Sequence, residues 1–257
     1  MVNSCVVFVS NKAYLGELIR TLKSLRTIGN YNGQIVILRG SDWNEENNTE
    51  FLEYKKDYSE TDLIQVIEFP EIDLTHIKNV FQQFPYTSPF DCRTDKLFQL
   101  HKMHVFQTFV KEWEVVLYID ANVKIHRSIE DVWNLDWKEK LISYDETLRS
   151  PPGWTLAGQF CTDIQNHYTK DLLQDFNLNC NYFQSSFMLF DTRIVNETTF
   201  TELIAFMNKY PTAKTNEQAI MSLYFGNHLK LFKALPDKNP IFHYYKESDV
   251  HQIFSKK

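Results

Sequence analysis

A chain of 257 residues with 43% hydrophobic and 23% charged side chains has the make-up of a folded globular protein, which excludes a disordered tail, a fibrous repeat and a disulfide-dependent mini-protein. A formal charge of −6 argues against electrostatic capture of bulk nucleic acid or of an anionic membrane. With 7 glycines and no G-x-G-x-x-G or Walker spacing, phosphate binding by a glycine-rich loop is excluded too.

Residues 4 to 10 form a β-branched apolar run, the pattern of a buried strand, and Leu15, Leu18, Ile19, Leu22 and Leu25 follow at helical spacing until Gly29 and Asn30. Residues 35 to 38 make a second short apolar strand. The helix between the two is long enough for the crossover that a parallel pair requires, so a β-α-β unit opens the chain. A polar, acidic stretch from Trp43 to Glu60 carries no assigned element, and residues 63 to 69 read as a third strand closed by Pro70. A long helix is predicted over 95 to 111, with His101 and His104 near its apolar face as core histidines. Residues 115 to 119 carry no charge and predict a strand buried on both faces, ending at Asp120-Ala121-Asn122. Beyond it the pattern predicts strands over 141 to 144 and 183 to 190, and helices over 163 to 176, 199 to 209 and 216 to 225. Strands and helices alternate without a linker, which predicts one α/β domain over 1 to 257 with a central, mostly parallel, Rossmann-like sheet flanked by helices.

Cys5, Cys92, Cys161 and Cys180 are too widely spaced for a zinc or redox pair and are expected as buried free thiols. The start of the sequence has neither a basic leader nor a small-residue cleavage site, and no apolar run approaches the roughly 18 residues of a span. A cytoplasmic protein with no membrane span is therefore expected, and the sequons at Asn47 and Asn196 are expected to be unmodified.

Ligands of open α/β sheets bind outside the carboxyl ends of the strands. Asp120 stands at such an end, where a carboxylate and a second oxygen two residues on can share a hard cation with diphosphate oxygens. The same residues also suit a turn that merely ends the strand. Asp145, ending the strand over 141 to 144, has a similar positional claim.

Several segments, taken in order, resemble the glycogenin-like branch of family 8 glycosyltransferases. They are Phe8-Val9-Ser10-Asn11-Lys12-Ala13-Tyr14, the basic pair Arg93 and Lys102, Leu117-Tyr118-Ile119-Asp120-Ala121-Asn122, Tyr182 to Phe190, Asn216-Glu217-Gln218, and Phe242-His243-Tyr244-Tyr245-Lys246. The resemblance implies the GT-A fold and retaining transfer from a nucleoside diphosphate sugar, a UDP-sugar above others, to an unknown glycan, protein or small-molecule acceptor. Residue by residue, it implies that Asn11 and Tyr14, with Val9 and Ser10 beside them, meet the nucleoside. Arg93, Lys102 and Lys246 would hold the diphosphate, with Asp120 and Ala121 alongside. Asp120, Asn122 and His243 would hold a divalent cation, Mn²⁺ or Mg²⁺. Gln184, Glu217 and Gln218 would surround the reacting sugar, with Asp145 near them by its strand-end position alone.

The sequence departs from the family pattern at five positions. Asn122 replaces a second aspartate and removes one charge from the cation site, so weaker metal binding is expected. Gln184 replaces Asn, Ser186 replaces Gly, and Glu217 stands for Asp. Lys246 follows His243 more closely than usual. The alternative reading keeps the fold as a catalytically weak or inactive nucleotide-sugar-binding protein; a nucleotidyltransferase is disfavoured by the missing glycine-rich loop.

Overall fold

The computed structural model describes residues 2–57, 63–84, 94–148, 153–162, 165–235, 241–244 and 253–256; of His243 it describes the backbone alone. Ten strands and six α-helices follow one another in these residues. The strands are β1 (Ser4–Ser10), β2 (Gln34–Arg39), β3 (Ile64–Glu68), β4 (Val115–Ile119), β5 (Lys124–Ile125), β6 (Leu141–Ser143), β7 (Phe187–Asp191), β8 (Phe232–Ala234), β9 (Phe242–Tyr244) and β10 (Phe254–Lys256). The helices are α1 (Leu15–Thr27), α2 (Thr49–Asp57), α3 (Thr75–Gln83), α4 (His167–Asp175), α5 (Thr199–Lys209) and α6 (Glu217–Met221).

Seven strands form one sheet in the order β3-β2-β1-β4-β7-β6-β8, all parallel to their neighbours except β7, which runs antiparallel to both β4 and β6. The side-chain period of two divides the core. Val7 and Val9 of β1, Val116 and Tyr118 of β4, and Met188 and Phe190 of β7 pack on one face. Val6, Phe8, Leu117 and Leu189 pack on the other with α1. On that helix Leu18, Ile19, Leu22 and Leu25 are all at most 1% exposed, and burying each contributes about 2 kcal/mol.

Because β7 alone is reversed, its amino end meets the carboxyl ends of β1, β4 and β6 along one edge. That edge gathers Ser10, Asp120, Asp145 and residues 184 to 186. The smaller sheet, β5-β10-β9, pairs His243 with Ser255 in register and ties the chain's late residues to β5, which begins two residues after Asn122.

The strand at 4–10, the helix over α1, and strands at 35–38, 64–68, 115–119 and 141–143 agree with the sequence patterns, as does α5. Four expectations are corrected. The helix expected over 95 to 111 is a tighter 3₁₀ path, Thr94–Phe106 with a kink at Lys96 and then Thr108–Glu112, with extended backbone at Gln107 between them. Three residues per turn eclipse positions i and i+3, and the rings of His101 and His104 accordingly stack 5.6 Å apart at 7°. The strand expected from 183 makes only an isolated bridge at Phe183 with Asp145 and becomes continuous at Phe187, since Ser185 N and Ser186 N turn instead to the side chains of Gln218 and Gln184. The helix expected over 216 to 225 starts at Glu217 and widens after Met221 into a π-helix, Ser222–His228. Finally, α2 and α3 lie where no element was predicted. Cys5 and Cys161 are buried free thiols and Cys180 is a half-buried one, while Cys92 lies outside the described residues.

Candidate active site

The site grows from the ends of β1 and β4. Ser10 is fully buried, its carbonyl accepting from Trp43 Nε1 at 3.2 Å and Gly40 N at 3.2 Å, so the chain leaves β1 at a fixed angle. Asn11 Oδ1 then accepts from Tyr14 N at 3.2 Å, capping a short turn that presents the Tyr14 ring at 41% exposure. On the other side, Val123 N donates to Asp120 O at 3.0 Å and closes the turn after β4. Thr21 of α1 pins that turn, its hydroxyl donating to Ala121 O at 2.5 Å.

Between the two turns lies an open cleft with an accessible volume of about 60 Å³. Val9, Tyr14, Lys102, Asp120, Ala121 and Asn122 line it as the sequence led one to expect; Phe98, Gln99 and Tyr118 also line it and were not anticipated. Tyr118 had a readable signal, since residues two apart in a strand share a face and Tyr118 precedes Asp120 by two. Its hydroxyl donates to Asp120 Oδ1 at 2.6 Å.

Lys102 is the centre of the arrangement. Its ammonium lies 2.8 Å from Asp120 Oδ1 and 2.8 Å from Glu217 Oε1, with its side chain 9% exposed. Burial by itself would push this ammonium down, but the Asp120 and Glu217 carboxylates outweigh it and hold Lys102 above the ordinary lysine range. Burial pushes the Tyr118 phenol well up, and the Asp120 charge adds to that, so the phenol stays a donor. Ser185 Oγ, which the sequence reading did not single out, donates to Glu217 Oε1 at 2.9 Å, and Ser185 N donates to Gln218 Oε1 at 3.2 Å. Glu217 Oε2 is buried without a hydrogen-bond partner among the described residues.

Asn216 sets the entry to α6 at φ 49°, in the region that disfavours side chains, and its amide donates to Lys96 O at 3.2 Å and to Gln99 Oε1 at 3.1 Å. The 3₁₀ segment that carries Lys102 and the helix that carries Glu217 are thereby fastened together. Gln218 Nε2 donates to Gln159 Oε1 at 3.3 Å, another residue that no sequence motif marks.

Not every expected residue joins this cluster. Gln184 Oε1 accepts from Ser186 N at 2.8 Å and Ser186 Oγ at 2.9 Å, folding that side chain onto its own turn. Asp145 is 3% exposed and accepts from Thr147 N at 3.0 Å, Thr147 Oγ1 at 2.6 Å and Asn181 Nδ2 at 2.5 Å, a loop-fastening role apart from Lys102. Arg93 and Lys246 lie outside the described residues, as does the His243 side chain. Among the described residues no group of three His, Cys, Asp or Glu could hold a metal. Asp120 and Asn122 nonetheless share the cleft, and a carboxylate with an amide oxygen is a donor pair that suits a hard cation completed by phosphate oxygens.

The family model described as Glycosyl transferase family 8 matches residues 5–253. The chain belongs to that family. Among curated proteins no sequence matches it significantly. Among solved structures, the glycosyltransferase GlyE of Streptococcus pneumoniae TIGR4 aligns at TM-score 0.56 and 18% identity over 93% of this chain and 46% of that one. The bifunctional glycosyltransferase WbbM aligns at TM-score 0.56 and 12% identity, over 94% and 40%. The mannosyltransferase Ktr4p of S. cerevisiae aligns at TM-score 0.55 and 11% identity, over 92% and 69%, and has also been solved with GDP. These likenesses show the GT-A fold. The chain spans under half the length of the first two. Among its described residues no helix is long and apolar enough to cross a membrane.

Proposed function

We propose that the chain, as one domain, transfers a sugar from a nucleoside diphosphate sugar, a UDP-sugar in the first instance, to an acceptor hydroxyl with retention of configuration. The observation that carries this reading is the buried Lys102 ammonium shared by Asp120 and Glu217 beside the cleft at the sheet's carboxyl edge. Departure of the diphosphate is the difficult step, because negative charge grows on the leaving oxygen while the sugar becomes oxocarbenium-like. A cationic group fixed in a water-poor cleft stabilises that oxygen without reorganising as the charge appears.

Each part of the donor has a candidate partner. Tyr14 offers an exposed ring for the base, with Val9, Ser10 and Asn11 shaping its approach. Lys102 faces the diphosphate, joined by Arg93 and Lys246. Glu217 supplies a carboxylate oxygen with no partner of its own to accept from a sugar hydroxyl, and Gln218, Gln184 and Asp145 border the same edge. A divalent cation, held by Asp120, Asn122 and His243, would add Lewis-acid stabilisation of the phosphate charge.

A second reading, a nucleotide-sugar-binding protein without turnover, is favoured by Asn122, which leaves the turn with one carboxylate. One experiment separates the two and tests both. Thermal unfolding is measured with UDP-, GDP- and CMP-sugars, each with Mn²⁺ and with EDTA, and released nucleotide is followed over hours. Selective stabilisation by UDP-sugars with slow release of UDP is expected, because a ligand that binds only the native state raises its stability. Binding without release would favour the second reading. Equal or no stabilisation by all three nucleotides would refute both.

A further inference from the structure

Asp120 is the only carboxylate that the D-x-N turn contributes to the cleft, and its Oδ1 already has a cation, the Lys102 ammonium at 2.8 Å. A divalent ion bonded to that same oxygen at the usual distance of roughly 2.0–2.6 Å would stand within about 5 Å of the ammonium, two positive centres in a poorly hydrated space. The two cations therefore compete for one carboxylate.

The local contacts allow the ammonium to leave Asp120 without leaving the site. Glu217 Oε1 is a second anchor at 2.8 Å, and Ser185 Oγ stands 3.5 Å away. Tyr118 keeps its bond to Asp120 Oδ1 at 2.6 Å, so the carboxylate retains its orientation when the lysine swings away. What would draw it away is a diphosphate. Lys102 is one cation between two carboxylates, so a donor that adds two negative charges offers the ammonium stronger partners than Asp120 does.

We infer that Lys102 is a resident counter-ion of Asp120 that a divalent cation must displace, and that the donor's diphosphate draws the ammonium off Asp120 and so admits the cation. The second half rests on the proposed donor. Cation and donor then bind cooperatively, each raising the other's affinity by the same factor, and part of that factor comes from freeing Asp120.

The test is calorimetric titration of Mn²⁺ into the full chain with no nucleotide present, comparing wild type with Lys102→Met/Glu217→Gln. That double change removes one charge of each sign and leaves Asp120 its carboxylate, so the variant is the one best placed to fold; circular dichroism melting checks that it does. At least tenfold tighter Mn²⁺ binding is expected in the double variant, and adding Asp120→Asn should abolish the gain. The increase in Mn²⁺ affinity caused by UDP should also be at least threefold smaller in the double variant than in wild type. Equal or weaker Mn²⁺ binding in the double variant overturns the counter-ion role. If UDP stabilises wild type while Mn²⁺ affinity does not differ between the two proteins, the handover falls and the donor reading stands. If UDP fails to bind wild type, the donor reading falls, and the nucleotide-free titration still decides the counter-ion.

Discussion

Replacing Lys102 by Met removes the cation from a site that keeps both of its carboxylates. At an effective dielectric of about 20, an ammonium 2.8 Å from a carboxylate oxygen gains about 6 kcal/mol, and Lys102 makes two such contacts. Desolvation of three buried ions and repulsion between the carboxylates oppose this, so the wild-type triad is close to balanced. Removing one partner is different, because it takes away the buried cation that both carboxylates share, a change that costs about 3–5 kcal/mol. Lys102→Met should therefore lower the unfolding free energy at pH 7 by that amount. Adding Glu217→Gln should return about half of it by removing the unpaired charge. Because the folded lysine is held above its unfolded value, its contribution is fully present below about pH 10.4 and is lost as pH rises through the folded value. The gap between wild type and variant should hold steady from pH 7 to about 10 and narrow above that. Urea unfolding followed by circular dichroism, with midpoint and slope compared at each pH, reads these quantities. A Lys102→Met protein within 1 kcal/mol of wild type at pH 7, or one destabilised further by Glu217→Gln, would refute the account of the triad.

Tyr14→Ala should weaken UDP binding by about 1–3 kcal/mol, the usual worth of a base on an aromatic ring, with little effect on stability because the ring is 41% exposed; calorimetry with UDP checks it. Asn122→Asp should tighten Mn²⁺ binding in the absence of nucleotide by supplying a second carboxylate, read by the same titration. His104 is held down to about 4, first by burial and then by the charge of His101, so the unfolded chain takes up its proton first. Stability from this group is present above about pH 6.5 and is lost as pH falls through about 4, on the order of 2 kcal/mol, and His104→Phe should flatten that part of the urea midpoint against pH.

The parts of the fold legible in the sequence are those in which one signal dominates. Val115 to Ile119 are all buried, and a run that short, made mostly of β-branched and aromatic residues, suits a central strand better than a helix. The leucines of α1 repeat often enough to define a face. In α2, by contrast, only Phe51 and Tyr54 are buried, two residues in an acidic stretch, which is too sparse a pattern to read. The path carrying Lys102 reads as an α-helix because its apolar residues fit either pitch, and only the eclipsed His101 and His104 rings reveal the tighter one. At the site, the sequence pointed to Asp120, Glu217 and Lys102 separately, but their meeting was not legible. Ninety-seven positions separate Asp120 from Glu217, and sequence spacing says nothing about a single ammonium joining them. Ser185 and Gln159 were missed for the same reason, since their value lies in partners supplied by α6.

A molecule with a formal charge of −6 repels a nucleoside diphosphate at long range, so any affinity for one must come from groups close to the phosphates. The fold answers this by direction of chain. Reversing β7 alone brings its polar amino end, residues 184 to 186, against the carboxyl ends of three parallel strands, and places Ser185 within reach of both Lys102 and Glu217. Had β7 run parallel, its carboxyl-end residues would have occupied that edge and Ser185 would have lain at the opposite one. The cation is then buried between carboxylates, where salt screens it little and where it stays charged, but where it is also spoken for until a stronger anion arrives. On the proposed donor reading, selectivity for a diphosphate over a weaker anion would follow from that competition, because a ligand must outcompete Asp120 before Lys102 can serve it.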